Sequence, residues 1–415
     1  MNRKLTKISL IVMILLLCPL FFSKTENSTL AMNQEDFKHS LNADPAIVID
    51  EDSDFSIFPG YGNETHPYVI EGYDISQPDF VNPGISVTGT TMHFIIQNNI
   101  FENGLYGIYI EDIAPETATI YNNTLSHTYT GIYLKEANGT VVDDNIIDRI
   151  YPYNGIELFQ SHHCNITNNY LGQVSGVMYY AGWTFKPITI TSCTGVNIIG
   201  NEINQCIRSG IIIMSSSEIL VQDNYIHDLV TSYMTSYAGI DLNYVDDSEF
   251  YNNTVDWLQT NLIRVVSCNR NSFKNNTLTG SLDYGMNIQK SSYNNITWNL
   301  FLDLPNFAIL FWDTSHDNII HHNNFTDNRD AGSQAKDYGS NNVWYDVTTN
   351  EGNWWSNWYC DTTYYSIAGT AGSVDPYPLG DCLPPIFPEF SFGISLLIVS
   401  VPIVCAIVIF LKKRK

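Results

Sequence analysis

Apolar and polar positions along this chain alternate in short bursts that recur with a period of about 23 residues. One arm of the repeat is a small residue followed by three strand formers: Gly84-Ile85-Ser86-Val87, Gly107-Ile108-Tyr109-Ile110, Gly131-Ile132-Tyr133-Leu134 and Gly155-Ile156-Glu157-Leu158. Six further copies begin at Pro187, Gly210, Gly239, Leu262, Gly285 and Ala308. Positions one and three after the small residue are apolar in every copy. Position two ranges over Ser, Tyr, Glu, Thr, Ile, Asp, Arg, Asn and Leu, so the first pair faces inward and the second position outward. A second arm follows by 14 to 16 residues and ends in Asn, at Asn99, Asn123, Asn145, Asn169, Asn201, Asn224, Asn253, Asn276, Asn299 and Asn324. Asn suits the turn expected there, because it tolerates the left-handed conformation and its amide can bond the equivalent amide of the next coil.

A repeat this short cannot bury its apolar face alone, so its copies must stack, about 4.8 Å apart. The pattern predicts an all-β fold, a right-handed parallel β-helix solenoid of about ten coils. The repeats span 84–340, between an N-terminal cap at 41–83 and an aromatic-rich C-terminal cap at 341–383. A leucine-rich repeat would need a helical half and a Leu framework, and a propeller about twice this period. Two coils are longer, 32 residues from Gly155 to Pro187 and 29 from Gly210 to Gly239. Both insertions leave the same corner, one carrying Tyr179, Tyr180, Trp183 and Phe185 and the other Tyr233 and Tyr237. Together with Glu157 and Asp241 on the outward strand row, these are the candidate ligand-binding residues.

The two ends change where such a solenoid would work. Residues 1–24 combine the basic Arg3, Lys4 and Lys7 with an apolar run from Ile8 to Phe22, the pattern of a signal peptide. Residues 390–411 are almost uncharged and long enough for one C-terminal transmembrane helix, and Lys412, Lys413, Arg414 and Lys415 follow at once. The expectation is a protein of the cell membrane with its ectodomain extracellular and its C-terminus cytoplasmic. The ends hold eight of the 19 Lys and Arg and none of the 43 acids, leaving 11 bases against 43 acids, or −32, for the rest. A surface that acidic repels phosphate backbones, which argues against nucleic acid as a partner.

The remaining chemistry is sparse. Cys360 and Cys382 flank one compact segment and are a candidate disulfide in an oxidising exterior, whereas Cys164, Cys193, Cys206 and Cys268 lack metal-site spacing and read as buried thiols. A glycoside hydrolase needs two carboxylates about 5–9.5 Å apart, and Glu157 and Asp241 stand three coils apart, about 14 Å. No catalytic residue is assigned. Asp241 with Arg264, and Glu111 with Lys135, fall on adjacent coils as ion pairs. The run Asp50-Glu51-Asp52-Ser53-Asp54 offers oxygen ligands for calcium but lacks the glycine turn and distal Glu of a loop site. Nine Asn-x-Ser/Thr sequons make glycosylation of an exported chain an expectation.

The Gly-Ile and Asn-Asn arms together resemble the repeats of NosD-like β-helix proteins, within the wider class of carbohydrate-binding and sugar-hydrolase β-helices. The segment His66-Pro67-Tyr68-Val69-Ile70-Glu71-Gly72-Tyr73 resembles the opening of archaeal members. Gly352-Asn353-Trp354-Trp355-Ser356 with Asp375-Pro376-Tyr377-Pro378 resembles their closing segment. Thr362 to Ser373 stands where that segment usually carries an Asp/Gly-rich stretch. The resemblance covers about 45–380, and the expected function is that of a noncatalytic surface protein that binds polysaccharide or glycoconjugate. The alternatives are a polysaccharide lyase, epimerase or hydrolase on the same face, or a structural cell-envelope protein. Pro388-Glu389-Phe390 before the apolar stretch is similar to an archaeal sorting signal. Relatives are often labelled copper-binding, but His162-His163 and His321-His322 lie about six coils apart, and neighbours in a strand point oppositely. Solvated turn histidines are therefore expected, with no metal site.

Overall fold

A computed structural model describes residues 43–380 apart from 78–79, 151–152, 173–184, 206–207, 230–236, 330–331 and 360–361. The expected leader, the 390–411 segment, the basic tail, Cys206, Cys360 and Cys382 lie outside the described residues, as do Tyr179, Tyr180, Trp183 and Tyr233. No helix among the described residues is long and apolar enough to cross a membrane.

The described chain from Asp44 winds into a right-handed parallel β-solenoid with three sheets. The first sheet has twelve strands, from Ile47–Ile49 to Ala335–Asp337. The second has eleven, from Tyr68–Glu71 to Ile319–His321, and the third twelve, from Asp74–Gln77 to Trp354–Trp355. Each strand pairs in parallel with its equivalent one coil on. Ile85 faces Ile108, which faces Ile132 and then Ile156, and all four are fully buried. Solenoid strands begin inside the segment expected as the first cap and continue past Ser340, so the capping elements are smaller than predicted. At the N-terminal end a short 3-10 helix, Asp52–Ile57, puts Phe55 over Tyr68 and Phe94, at ring centroid distances of 5.1 and 5.4 Å. At the other end Phe301, Phe325, Trp355 and Tyr365 stack at 5.0, 4.0 and 4.0 Å.

The small residue at the head of each first strand has a packing cause. A Cβ on Gly131 would lie 2.5 Å from the Gly155 carbonyl oxygen, and one on Gly285 2.5 Å from that of Ala308. Stacked corners approach too closely there for an ordinary side chain.

The Asn row is a buried ladder. In each step the backbone N–H and Nδ2 of one Asn donate to Oδ1 of the next, at 3.1 Å from Asn99 to Asn123 and 3.0 Å from Asn201 to Asn224. The left-handed residue is the one before the ladder Asn: Asn98, Asn122, Asp144, Asn168, Gly200, Asp223, Asn252 and Asn275 all have positive φ. The ladder Asn itself points inward, which separates two duties that the sequence pattern merged. Asn323, not Asn324, is the ladder residue of its coil. It donates to Asn353, whose N–H and Nδ2 donate to the buried Asp375 carboxylate at 2.7 and 3.4 Å.

A second ladder runs Asn271, Asn294, Asn318, Asn342 at another corner. It ends the same way, with Asn342 Nδ2 donating to buried Asp337 at 2.9 Å. Trp355 and Trp344 each donate an indole N–H to those carboxylates, at 3.0 and 3.4 Å. A row of amides that all donate the same way needs an acceptor without a donor at its last rung, and a carboxylate supplies it. The third row mixes Ser and Cys: Cys193 N–H donates to Ser216 Oγ, and Cys268 N–H to Ser291 Oγ. Cys164, Cys193 and Cys268 are free and buried, as the spacing predicted.

Candidate functional site

The outward row of the first sheet divides into two halves. The open half lies on the strands Tyr106–Glu111, Thr130–Lys135 and Asn154–Phe159. Tyr109 stands opposite Tyr133, and Tyr133 opposite Glu157. The coil repeat therefore brings the rings together: Tyr109 and Tyr133 stack at 5.4 Å with planes 15° apart, and Tyr106 closes the triangle at 5.1 and 5.4 Å. Along the neighbouring corner Phe80, Tyr129 and Tyr153 form a second row, at 4.9 and 5.9 Å, and Tyr153 is exposed. The three platform tyrosines are half-buried, as are Glu111, Lys135 and Glu157 beside them.

Charge on this platform is ordered. The Tyr109 hydroxyl donates to Glu111, which also pairs with Lys135. The Lys135 bond, then the Tyr109 bond, hold the Glu111 carboxyl below the usual range. Burial, then the bond to Glu111, push the Tyr109 phenol upward. Glu157 goes the other way. Burial raises it, against the Asn154 amide that donates to it at 2.5 Å and the nearby Lys186 charge. Glu111 and Glu157 stand two coils and two residues apart, about 12 Å, beyond the carboxylate spacing of a glycoside hydrolase.

In the other half the outward residues are occupied by one another. Asp241 is 7% exposed and takes hydrogen bonds from Arg264 at 2.8 Å, Asn243 at 3.3 Å and Ser209 at 3.4 Å. Burial raises its carboxyl, with Arg264 opposing. Asn287 is likewise tied to Asn261 and to the Trp312 indole. Asp241 is thus a structural ion pair, as its spacing from Arg264 suggested, and its oxygens are not free for a ligand. Phe185 is corrected in the same sense: it is fully buried, packed under Gly155, because the chain returns from the insertion into the core there. Tyr237 is half-buried, with Arg208 5.2 Å over its ring and its carbonyl accepting from Thr260. Of the expected residues that are described, only Glu157 lies on the open platform. The platform tyrosines lie outside the expected set, and their signal in the sequence is the recurrence of Tyr109 and Tyr133 at the outward position of adjacent repeats.

A second cluster sits at the closing corner. The last two left-handed corner positions hold Trp298 and His322, where earlier coils carry Asn, Asp or Gly. Their rings stack at 4.5 Å, 9° apart. His322 Nε2 lies 2.8 Å from Glu351, and its Nδ1 2.5 Å from Nδ1 of His321. Ligand atoms of His321, His322 and Asp346 lie within 4.8 Å of one another. Burial, then the neighbouring His322, lower the His321 pKa. The expectation of solvated histidines holds at His163, which is exposed at a left-handed bend, and fails at His321-His322, because His322 lies just past the strand Ile319–His321. Its left-handed bend turns the two rings to the same side. Asp50, Glu51 and Asp54 also converge, but Asp54 is the acceptor for the Asp50 and Glu51 N–H groups of the 3-10 helix start.

Two family descriptions match the chain: "Periplasmic copper-binding protein (NosD)" over residues 180–360 and "Right handed beta helix region" over 62–194. No curated protein matches it. Among solved structures, the A-module of the Azotobacter vinelandii mannuronan C-5 epimerase AlgE6 is 12% identical. The match covers 85% of this chain and 99% of that one, with a TM-score of 0.48. The Streptococcus pneumoniae surface adhesin PfbA is 10% identical over 67% of this chain and 84% of its own, with a TM-score of 0.49. A GH87 α-1,3-glucanase catalytic domain is 10% identical over 81% and 70%, with a TM-score of 0.42. Likenesses this distant carry nothing about chemistry. The repeat, the three parallel sheets and the two family matches together make this chain a NosD-like right-handed parallel β-helix.

Proposed function

We propose that this chain binds polysaccharide or glycoconjugate, without catalysis, on the open half of the first sheet, as an exported protein held at the cell membrane by residues 390–411. The observation that carries the reading is the Tyr106–Tyr109–Tyr133 platform. Phenol rings stacked at coil spacing offer apolar ring edges and outer faces beside polar hydroxyls, which matches the C–H faces and hydroxyl rims of a sugar chain. The half-buried Glu111, Lys135 and Glu157 supply polar groups at the edge, with Glu157 held by the buried Asn154 amide. The carboxylate spacing argues for binding rather than hydrolysis.

A glycan array with the purified full-length chain tests this, comparing wild type with Tyr133→Ala and Tyr109→Ala. Each substitution should weaken binding at least tenfold, the scale of one lost ring contact. Retention of the wild-type profile in both would remove the platform from consideration. Unsaturated products absorbing at 235 nm from a uronate polymer would instead establish a lyase. The matched NosD description names copper, and His321, His322 and Asp346 fall within the matched residues. Two imidazoles and a carboxylate are donors that suit such an ion.

A further inference from the structure

We infer that His321, His322 and Asp346 form a site for one divalent transition-metal ion, which latches the closing hairpin to the last coil. Glu351 acts as the residue that positions His322. The inference is independent of glycan binding and rests on four observations at the closing corner.

Glu351 accepts from His322 Nε2 at 2.8 Å, which leaves Nδ1 of the neutral ring as the lone-pair nitrogen. That Nδ1 points at Nδ1 of His321, 2.5 Å away. Two nitrogens can sit that close only by sharing a proton, and an ion about 2.0–2.1 Å from both needs them about 3 Å apart, a small ring rotation. The ring is held flat against Trp298. Both residues occupy left-handed backbone, where bulky side chains are uncommon and where strain marks a constrained site.

The Asp346 carboxylate reaches the pair from a different segment. Asp346 Oδ1 accepts from the Thr348 N–H at 2.7 Å, which orders the side chain. Its backbone N–H donates to the Glu351 carbonyl at 2.7 Å, so one hairpin delivers both the third ligand and the positioning carboxylate. The imidazoles belong to the end of the second sheet, where His322 N–H donates to the Gly352 carbonyl at 2.6 Å. An ion would bridge these segments and oppose their separation.

Titration of the full-length chain with Zn²⁺ and with Cu²⁺, by calorimetry, should give one site. The double variant His321→Ala, His322→Asn should weaken it at least a hundredfold, and Asp346→Asn at least tenfold. Glu351→Gln should weaken it 10–100-fold, the range for lost positioning partners. Asn at 322 restores the residue that earlier corners use, so circular dichroism should show the fold intact. Electron paramagnetic resonance of the Cu²⁺ form should show coupling to two imidazole nitrogens, absent in the double variant. Zn²⁺ should raise the melting temperature of wild type and not of that variant, and Ca²⁺, which prefers oxygen ligands, should raise neither. Equal affinity in wild type and the folded double variant would overturn the inference. So would a wild-type Cu²⁺ spectrum without imidazole coupling, which needs no variant.

Discussion

Replacing Asn224 by Ala removes one rung from the middle of the buried ladder, and the structure sets the size of the effect. Asn224 Oδ1 accepts from Asn201 N–H and Nδ2, both at 3.0 Å. Its Nδ2 donates to Ile198 O at 2.8 Å, Gln222 O at 2.9 Å and Asn253 Oδ1 at 2.9 Å. Asn201 Nδ2 keeps the Ile166 and Ile199 carbonyls, but the Asn201 backbone N–H is stranded beside alanine in a dry interior. A stranded buried donor costs about 1–3 kcal/mol, and each lost hydrogen bond about 1 kcal/mol net. The expected destabilisation is about 4 kcal/mol. The adjacent Asp223→Ala should cost only about 1 kcal/mol, the left-handed penalty for an exposed corner. Urea unfolding would give the totals. Native-state hydrogen exchange would locate the loss, because a stack of coils opens locally and the Asn201 amide, which loses its acceptor, should lose protection first, whereas the Asn253 amide keeps Asn276. An Asn224→Ala protein within about 1 kcal/mol of wild type, with the Asn201 amide unchanged, would refute the ladder's energetic role.

The end of that ladder should respond to pH. Burial raises Asp375 from 3.8 to about 6, so the folded state holds its proton more tightly than the unfolded state. The stabilisation is fully present below about pH 4 and is lost as pH rises through about 6, a swing of about 3 kcal/mol. Melting curves between pH 4 and 8 should show this trend as a difference between wild type and Asp375→Asn, and a difference of opposite sign would contradict the assignment. The described cysteines should be silent until the chain unfolds: burial pushes Cys164 and Cys268 up to about 12 and Cys193 to about 11. A disulfide-exchange reagent should label none of the three in the native protein, and rapid labelling of any would show that its row opens.

Everything that repeats was legible in the spacing of residues along the chain. A period of about 23 residues, with Ile inward and a variable residue outward, forces parallel stacking because no single coil can bury its own face. The Asn row follows, although the pattern could not separate the left-handed residue from the inward ladder residue beside it, nor place Asn323 ahead of Asn324. The ion pairs of Asp241 with Arg264 and Glu111 with Lys135 were legible for the same reason, since equivalent positions on adjacent coils must meet.

Tertiary structure decided what departs from the repeat. Asp337 and Asp375 cap the two ladders from a closing segment that obeys no period, so nothing in their local sequence announces a buried carboxylate. Phe185 turned inward because the insertion rejoins the core there, a matter of chain path rather than residue type. His321 and His322 read as opposed neighbours in a strand, and one left-handed corner brought their nitrogens together. Position two named Tyr109 and Tyr133 as outward, but only the cross-coil register, with Tyr106 leaning over from the strand start, made three rings into one surface. Periodic contacts are written in spacing, whereas contacts between a coil and a cap depend on backbone bends that spacing does not encode.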